Sequence, residues 1–186
     1  MKISTSKLIS ELKNISQENI QFAKTLLDKE ISELNFRNSE ESWSVLECLE
    51  HLNRYGNFYV PEISKRISTS KFPPKTEFSS GILGDYFAKS MLPKQKLNKM
   101  KTFKSMNPIH SNLDKDVVKE FINQQNQLLG LLEQSNRINL EKTKTSISIS
   151  KLVKLKLGDT LRFIIYHNLR HIEQAKNVLK TISSKD

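Results

Sequence analysis

The stretch that decides the fold is LRFIIYHNLRHIEQ, which occupies residues 161–174. Within it and beyond it, apolar side chains recur at helical spacing and predict a face that points into a core. These positions are Leu161, Ile165, Ile172, Leu179 and Ile182. His167 and His171 lie beside that face, and a helix places residues four apart with their Cβ atoms about 5–6 Å from each other. Both imidazoles can therefore reach one metal ion, although two partly buried, hydrogen-bonded histidines would give the same pattern.

The composition describes a single helical domain spanning residues 1–186. Five Gly and five Pro, with many Leu, Ile, Lys and Glu, indicate a mostly helical protein that can bury a substantial core. The lone Cys48 rules out an intramolecular disulfide framework and suits a reducing cytosol. Residues 1–17 lack a signal-peptide pattern, and no apolar run reaches the length of about 18 residues expected of a membrane span. We therefore expect a cytoplasmic protein with no membrane partner.

The net charge of +10 raises the question of nucleic-acid binding. The most concentrated basic residues have no acid between them and are Lys89, Lys94, Lys96, Lys99, Lys101 and Lys104. No helix-turn-helix, zinc-finger or aromatic stacking pattern accompanies this lysine-rich segment. A solvated loop explains the segment without a nucleic-acid partner, so nucleic-acid binding is not favoured.

Four long amphipathic segments predict the architecture. Their approximate bounds are residues 5–34, 44–67, 114–134 and 158–182, with a shorter helix over 82–91. Ser44 and Glu47 form a capping box that fixes the start of the second helix. Residues 139–157 alternate apolar and polar positions, but no second strand is evident, so we interpret them as an extended crossover. The prediction is an all-α four-helix bundle with long connections after the second and third helices.

A third histidine lies on the second of these helices. His51 falls at the margin of an inward face that continues through Cys48 and Tyr55. Three histidines on two helices would leave one tetrahedral position open, as in reactive rather than structural zinc sites. Glu47 could support His51 or intrude as a ligand, but capping explains it, and Cys48 is interpreted as a buried thiol. His110 has no neighbour at ligand spacing and is predicted to be an exposed loop residue.

Several motifs together resemble the DinB-like superfamily. The stretch WSVLECLEH at residues 43–51 looks like the start of that family's second helix. HNLRHIEQ at residues 167–174 looks like its H-x-x-R-H-x-x-Q signature in the last helix. LGD at 157–159, EF at 120–121 and QQ at 124–125 also fit. The resemblance covers nearly the whole chain and is carried by the order and spacing of short motifs.

The resemblance implies a four-helix bundle that holds a divalent metal, most often nickel or zinc, through three histidines. Residue by residue, these match His51, His167 and His171. Family members of known activity include thiol-dependent transferases and isomerases, in which the metal activates a low-molecular-weight thiol. Others are described as metal-dependent hydrolases, and many members pair as dimers, so a homodimer is implied as well. No stretch of this sequence matches the binding site of a particular thiol.

Two classes of function therefore stay open. The first is a metal-dependent enzyme, either a thiol-dependent transferase or a hydrolase, acting on a small-molecule substrate in a pocket lined by residues such as Trp43, Tyr55 and Phe121. Arg170 would then bind an anionic substrate group, unless it faces solvent or pairs with Glu173. The alternative is a non-enzymatic helical bundle that binds a metal or a small ligand.

Overall fold

The structure of the chain is a computed structural model that describes residues 1–93 and 102–184. Its elements, in chain order, are β1 (Lys2–Ser4), α1 (Thr5–Leu26), α2 (Ile31–Asn35), α3 (Val45–Ser68), β2 (Glu77–Ser79), α4 (Ile82–Met91), a 3-10 turn (Lys104–Met106), α5 (Asp116–Ser135), β3 (Lys144–Ile147), β4 (Ser150–Lys156) and α6 (Leu157–Ser183). The central lysines of the lysine-rich segment, 94–101, lie outside the described residues.

The four long helices α1, α3, α5 and α6 form a four-helix bundle, as predicted. Helix α5 packs against α1 and α3, and α6 packs against the same two helices, so the order around the bundle is α1, α5, α3, α6. Residues 69–115 and 136–156 make the two long connections. The predicted fold class is confirmed, and so is the short helix α4 over the predicted residues 82–91.

The bundle core consists of two apolar clusters with polar side chains between them. One cluster includes Leu12, Leu128 and Ile165, and the other includes Ala23, Phe121 and Ile172. The polar residues that fall between them along the helices are buried, and they are Ser16, Asn19, Gln125 and Asn168. A layer of buried polar residues therefore separates the two apolar clusters.

The first predicted helix is divided in two. We predicted one helix over residues 5–34, but α1 ends at Leu26 and α2 starts anew after Glu30. The reason is a second capping box, because the Glu30 side chain accepts from the N–H of Glu33 while the Glu33 carboxylate accepts from the N–H of Glu30. At the C-terminal end of α1, Lys115 Nζ donates a hydrogen bond to Leu27 O at 2.8 Å. This bond satisfies one of the carbonyl groups that have no partner within the helix.

The prediction of an extended crossover over residues 139–157 is wrong. Strands β3 and β4 form an antiparallel hairpin in which Thr145 faces Leu155, with a register shift after Ser146. Both strands lie within residues 139–157, so each is the pairing partner of the other. A second pair, β1 with β2, places Ile3 opposite Phe78 and escaped the sequence analysis because both strands are only three residues long.

A buried ion-pair network attaches α4 to the start of α6. Arg162 is 2% exposed, and its Nη1 donates to Asp85 Oδ1 at 2.8 Å and to Ser80 Oγ at 2.7 Å. Asp159 Oδ1 lies 3.3 Å from the same nitrogen, and Asp159 Oδ2 accepts from the N–H of Gly81 at 2.8 Å. These bonds fix the position of α4 over α6.

We expect Arg162→Met to destabilise the protein strongly. The substitution leaves the buried carboxylate of Asp159 without its cation, and breaking a buried pair in this way costs about 3–5 kcal/mol. Urea denaturation measures the change in unfolding free energy. Lys119→Met removes an exposed pair with Asp116 and should leave the denaturation midpoint unchanged. Equal midpoints for the two variants would contradict a stabilising role for the Arg162 network.

Candidate metal centre

Three histidines from two helices meet on the inner side of the bundle. His51 comes from α3, and His167 and His171 come from α6. One ring nitrogen from each lies within 4.8 Å of the others, and His51 Nε2 is 3.1 Å from His167 Nε2. All three side chains are buried. The structure thus brings together the three predicted residues.

Hydrogen bonds to the outer ring nitrogens orient two of the three imidazoles. His51 Nδ1 lies 2.6 Å from Met106 O, and a carbonyl can only accept, so this nitrogen carries the proton. His171 Nδ1 likewise donates to Gln174 Oε1 at 2.9 Å. Both rings therefore keep an Nε2 lone pair directed inward. His167 Nδ1 has no hydrogen-bond partner among the described residues.

Burial keeps the cluster uncharged. It lowers the pKa of His51 from its ordinary 6.5 to about 4, because the charged ring would lose its hydration. The pKa values of His167 and His171 also lie well below the ordinary value, first through burial and then through the neighbouring histidines. At neutral pH all three rings are neutral, which is the form that binds a metal ion.

A loop segment, residues 104–110, is fastened over His51 by side chains of α3. The Glu47 carboxylate accepts from the N–H of His110 at 2.6 Å, and Arg54 Nη1 donates to Asn107 O at 3.1 Å. These bonds hold the Met106 carbonyl against the His51 ring. The sequence gives no sign of this contact, since 55 residues separate the two partners.

Glu47, Cys48 and His110 do not join the histidine cluster. The Glu47 carboxylate is used by the Ser44 N–H, by Arg37 and by the His110 N–H. Burial by itself raises the pKa of Glu47, but these hydrogen bonds outweigh burial and bring the pKa below its ordinary value. Burial raises the pKa of the Cys48 thiol, so Cys48 is an inert core residue. His110 is an exposed loop residue, as predicted, with a φ of 62°.

A cavity of about 760 Å³ opens onto the three histidines. Its walls come from residues 39–43, α3, α4, residues 102–109, the β3–β4 hairpin and α6. Trp43 and Tyr55 line it as predicted, but Phe121 does not, because it is packed in the bundle core with Ile172. Arg170 is buried and lines the cavity, while Glu173 pairs with Lys176 instead.

Comparison with known proteins agrees with this architecture. A family model described as the DinB superfamily matches residues 17–175. A solved structure, YfiT from Bacillus subtilis, superposes with a TM-score of 0.55 and 13% sequence identity over 96% of this chain and 87% of that one. YfiT is described as a probable metal-dependent hydrolase with an unusual four-helix bundle topology. A search of curated proteins returned no match.

No helix within residues 1–93 and 102–184 combines the length and the apolar character that crossing a bilayer requires.

We expect the metal-free protein to lose stability as the pH is lowered from 6.5 towards 4. In this range the unfolded chain protonates His51, whereas the folded chain, with a pKa of about 4, does not. The unfolding free energy therefore falls by about 1.4 kcal/mol per pH unit for each such histidine and is fully regained above pH 6.5. Urea denaturation of chelator-treated protein at a series of pH values measures this slope.

Two variants separate the buried histidines from the exposed one. The slope for His51→Gln should be smaller by the contribution of one histidine, about 1.4 kcal/mol per pH unit. His110→Asn is the control variant, because His110 lies outside the histidine cluster and Asn tolerates a positive φ. Parallel slopes for the His51 variant and the unmodified protein would contradict a neutral, buried His51.

Proposed function

Because the chain belongs to the DinB superfamily, we propose that it is a metal-dependent enzyme whose divalent ion is held by His51, His167 and His171. The reaction that we propose is hydrolysis of a small-molecule substrate, the activity for which YfiT is described as a probable example. Thiol-dependent transfer is the second candidate, favoured by a cavity of about 760 Å³, which has room for a thiol beside a substrate. Nickel and zinc are the proposed ions, and a homodimer and a cytoplasmic location stay predictions.

The observation that carries this proposal is the short distance between the ring nitrogens of the three histidines. Two nitrogen ligands at 2.0–2.1 Å from a tetrahedral ion are separated by about 3.3 Å. His51 Nε2 and His167 Nε2 are 3.1 Å apart, so a small adjustment brings them to that spacing. The hydrogen bonds to Met106 and Gln174 supply the outer contacts that metal-bound histidines generally make.

A position for a reactant remains open beside the three rings. Within the part of the chain that the structure describes, no Cys, Asp, Glu or fourth His joins the cluster. A divalent ion held by three neutral imidazoles lowers the pKa of a coordinated water or thiol, which provides a nucleophile near neutral pH. The cavity opens onto the three histidines, which gives a reactant access to the cluster.

Two further side chains are placed to bind and orient a substrate. The ring of Tyr55 is centred 5.0 Å from that of His51 and 4.6 Å from that of His167, and it lines the cavity. Burial raises the pKa of Tyr55, so its hydroxyl stays protonated and can donate a hydrogen bond. The Arg170 guanidinium, one residue before His171, adds a positive charge that favours an anionic substrate group.

We expect metal binding to be visible in the fluorescence of Trp43, the single tryptophan of the chain. Its ring lies 4.7 Å from His51 and 5.5 Å from His171, so a paramagnetic ion such as Ni²⁺ or Co²⁺ should quench it. His167→Ala should abolish the saturable quenching, because only two of the three imidazole ligands remain. His110→Asn should titrate like the unmodified protein.

Two results would contradict the proposal. Absence of saturable quenching and of heat on titration with Zn²⁺, Ni²⁺ or Co²⁺ would show that the histidines are a plain polar layer in the core. An ion with four protein ligands and no exchange with added thiol or anion, seen in Co²⁺ absorption spectra, would show a structural metal site.

We expect Gln174→Leu to weaken metal binding by about 10- to 100-fold without abolishing it. The substitution removes the acceptor that fixes the proton on His171 Nδ1 and the orientation of that ring. Glu173→Gln, at the neighbouring position on α6, changes only the pair with Lys176 and should leave affinity unchanged. Zinc titration calorimetry measures both, and unchanged affinity for the Gln174 variant would show that this contact does not support the site.

A further inference from the structure

The cavity wall beyond the histidines is a ladder of aromatic rings. On α3, Tyr55 and Tyr59 follow His51 at intervals of four residues, and their own rings stack at 6.3 Å with an angle of 7°. On α6, Phe163 precedes His167 by one turn, with the two rings 5.8 Å apart and nearly parallel. Eight residues of helix extend about 12 Å, so the wall continues two turns away from the histidine cluster.

The β3–β4 hairpin borders this wall at the end away from the histidines. Phe163 lies 5.7 Å from the ring of Tyr59, and the Tyr59 hydroxyl accepts from the N–H of Ser148 at 3.3 Å. Ile147 and Leu155 from the hairpin line the cavity there. The cavity is therefore longer than the metal centre requires, and the side chains at this end are mainly apolar and aromatic.

Among the described residues, the charged side chains of the cavity wall lie near the histidine cluster. Glu41 and Arg170 are the only acidic and basic residues, apart from the histidines, among the described residues that line the cavity. Arg170 adjoins His171, and Glu41 lies two residues before Trp43, which contacts the histidine rings. No described lysine lines the cavity, although the chain carries a net charge of +10. The described part of the wall suits one small charged group and offers no cluster of cations for a polyphosphate or a nucleic acid.

Three large side chains of the cavity wall are exposed to solvent. Tyr86 on α4 is 67% exposed, Phe103 is 53% exposed and Ile149 on the hairpin turn is 55% exposed, yet all three line the cavity. Seven of the lining residues are aromatic, while the whole chain has one Trp, four Tyr and nine Phe. An apolar molecule in the cavity would remove part of this surface from water.

We propose that the site binds an amphiphilic small molecule, with one small anionic group at the histidine cluster and Arg170 and an apolar chain or aryl body along α3 and α6. The position of the anionic group rests on the proposed function, whereas the apolar channel rests on the cavity walls alone. Carboxylates and thiolates share the chemistry of the head group, and the experiment below tests them separately.

The test is the chain-length dependence of binding, followed by Trp43 fluorescence in metal-free and in zinc-loaded protein. The probes are n-alkyl carboxylates from butanoate to decanoate, the matching alkanols and the matching alkanethiols. Each added methylene should lower the dissociation constant about threefold to fourfold until the chain outgrows the cavity. Carboxylates should bind more tightly than alkanols of equal length, and Arg170→Gln should reduce that difference.

A steric variant locates the channel. Ser148→Phe places a ring at the far end and should weaken decanoate binding at least tenfold while leaving butanoate binding unchanged. Ser146→Phe makes the same substitution on the same hairpin, at a position that does not line the cavity, and should have no effect on either probe. Affinity that does not depend on chain length, or equal effects of Ser148→Phe on both probes, would overturn the proposal.

The outcomes also separate this inference from the proposed function. Chain-length dependence in metal-free protein together with a failure to bind metal would support the channel and contradict the metal enzyme. Saturable metal binding together with flat chain-length dependence would do the reverse. Stronger binding of alkanethiols than of carboxylates only after zinc loading would assign the head group as a thiol.

Discussion

The carboxylate of Glu47 connects the start of α3 to the loop before it and to a segment 63 residues away in sequence. It accepts from the N–H of Ser44 at the start of α3, from Arg37 in the preceding loop and from the N–H of His110. The last of these bonds fastens the segment whose Met106 carbonyl fixes the proton of His51. A residue that the sequence identifies as a helix cap therefore also orients the histidine cluster from a distance, without touching a histidine ring. Since the carboxylate is fully buried, its three groups of donors are needed to offset the lost hydration.

The histidine cluster lies at the level where the bundle core is least apolar. Asn19, Gln125 and Asn168 are buried between the two apolar clusters, and Asn168 is the neighbour of His167. Several buried polar atoms have no hydrogen-bond partner among the described residues, and they include Asn19 Oδ1, Gln125 Oε1 and His167 Nδ1. A polar group left in this condition is common at sites where function opposes stability.

The lysines of the described residues do not line the cavity. Lys89 and Lys119 are exposed and pair with neighbouring acids on their own helices. The lining of the cavity, by contrast, is aromatic and carries Arg170 at its histidine end. These exposed lysines therefore belong to the solvated surface, whereas the aromatic cavity wall indicates what the proposed site would bind.

The sequence by itself determined the four long helices, the capping box at Ser44 and the three histidines, because helical periodicity and spacing along one helix are local properties. It did not separate α2 from α1, since a glutamate capping box in a run without Gly or Pro resembles a continuous helix. Only the tertiary structure decided that Met106 orients the His51 ring, that Phe121 is a core residue and that the hairpin lines the cavity. Contacts such as that of Met106 with His51 depend on how helices and loops pack together, and side-chain periodicity carries no information about a partner 55 residues away.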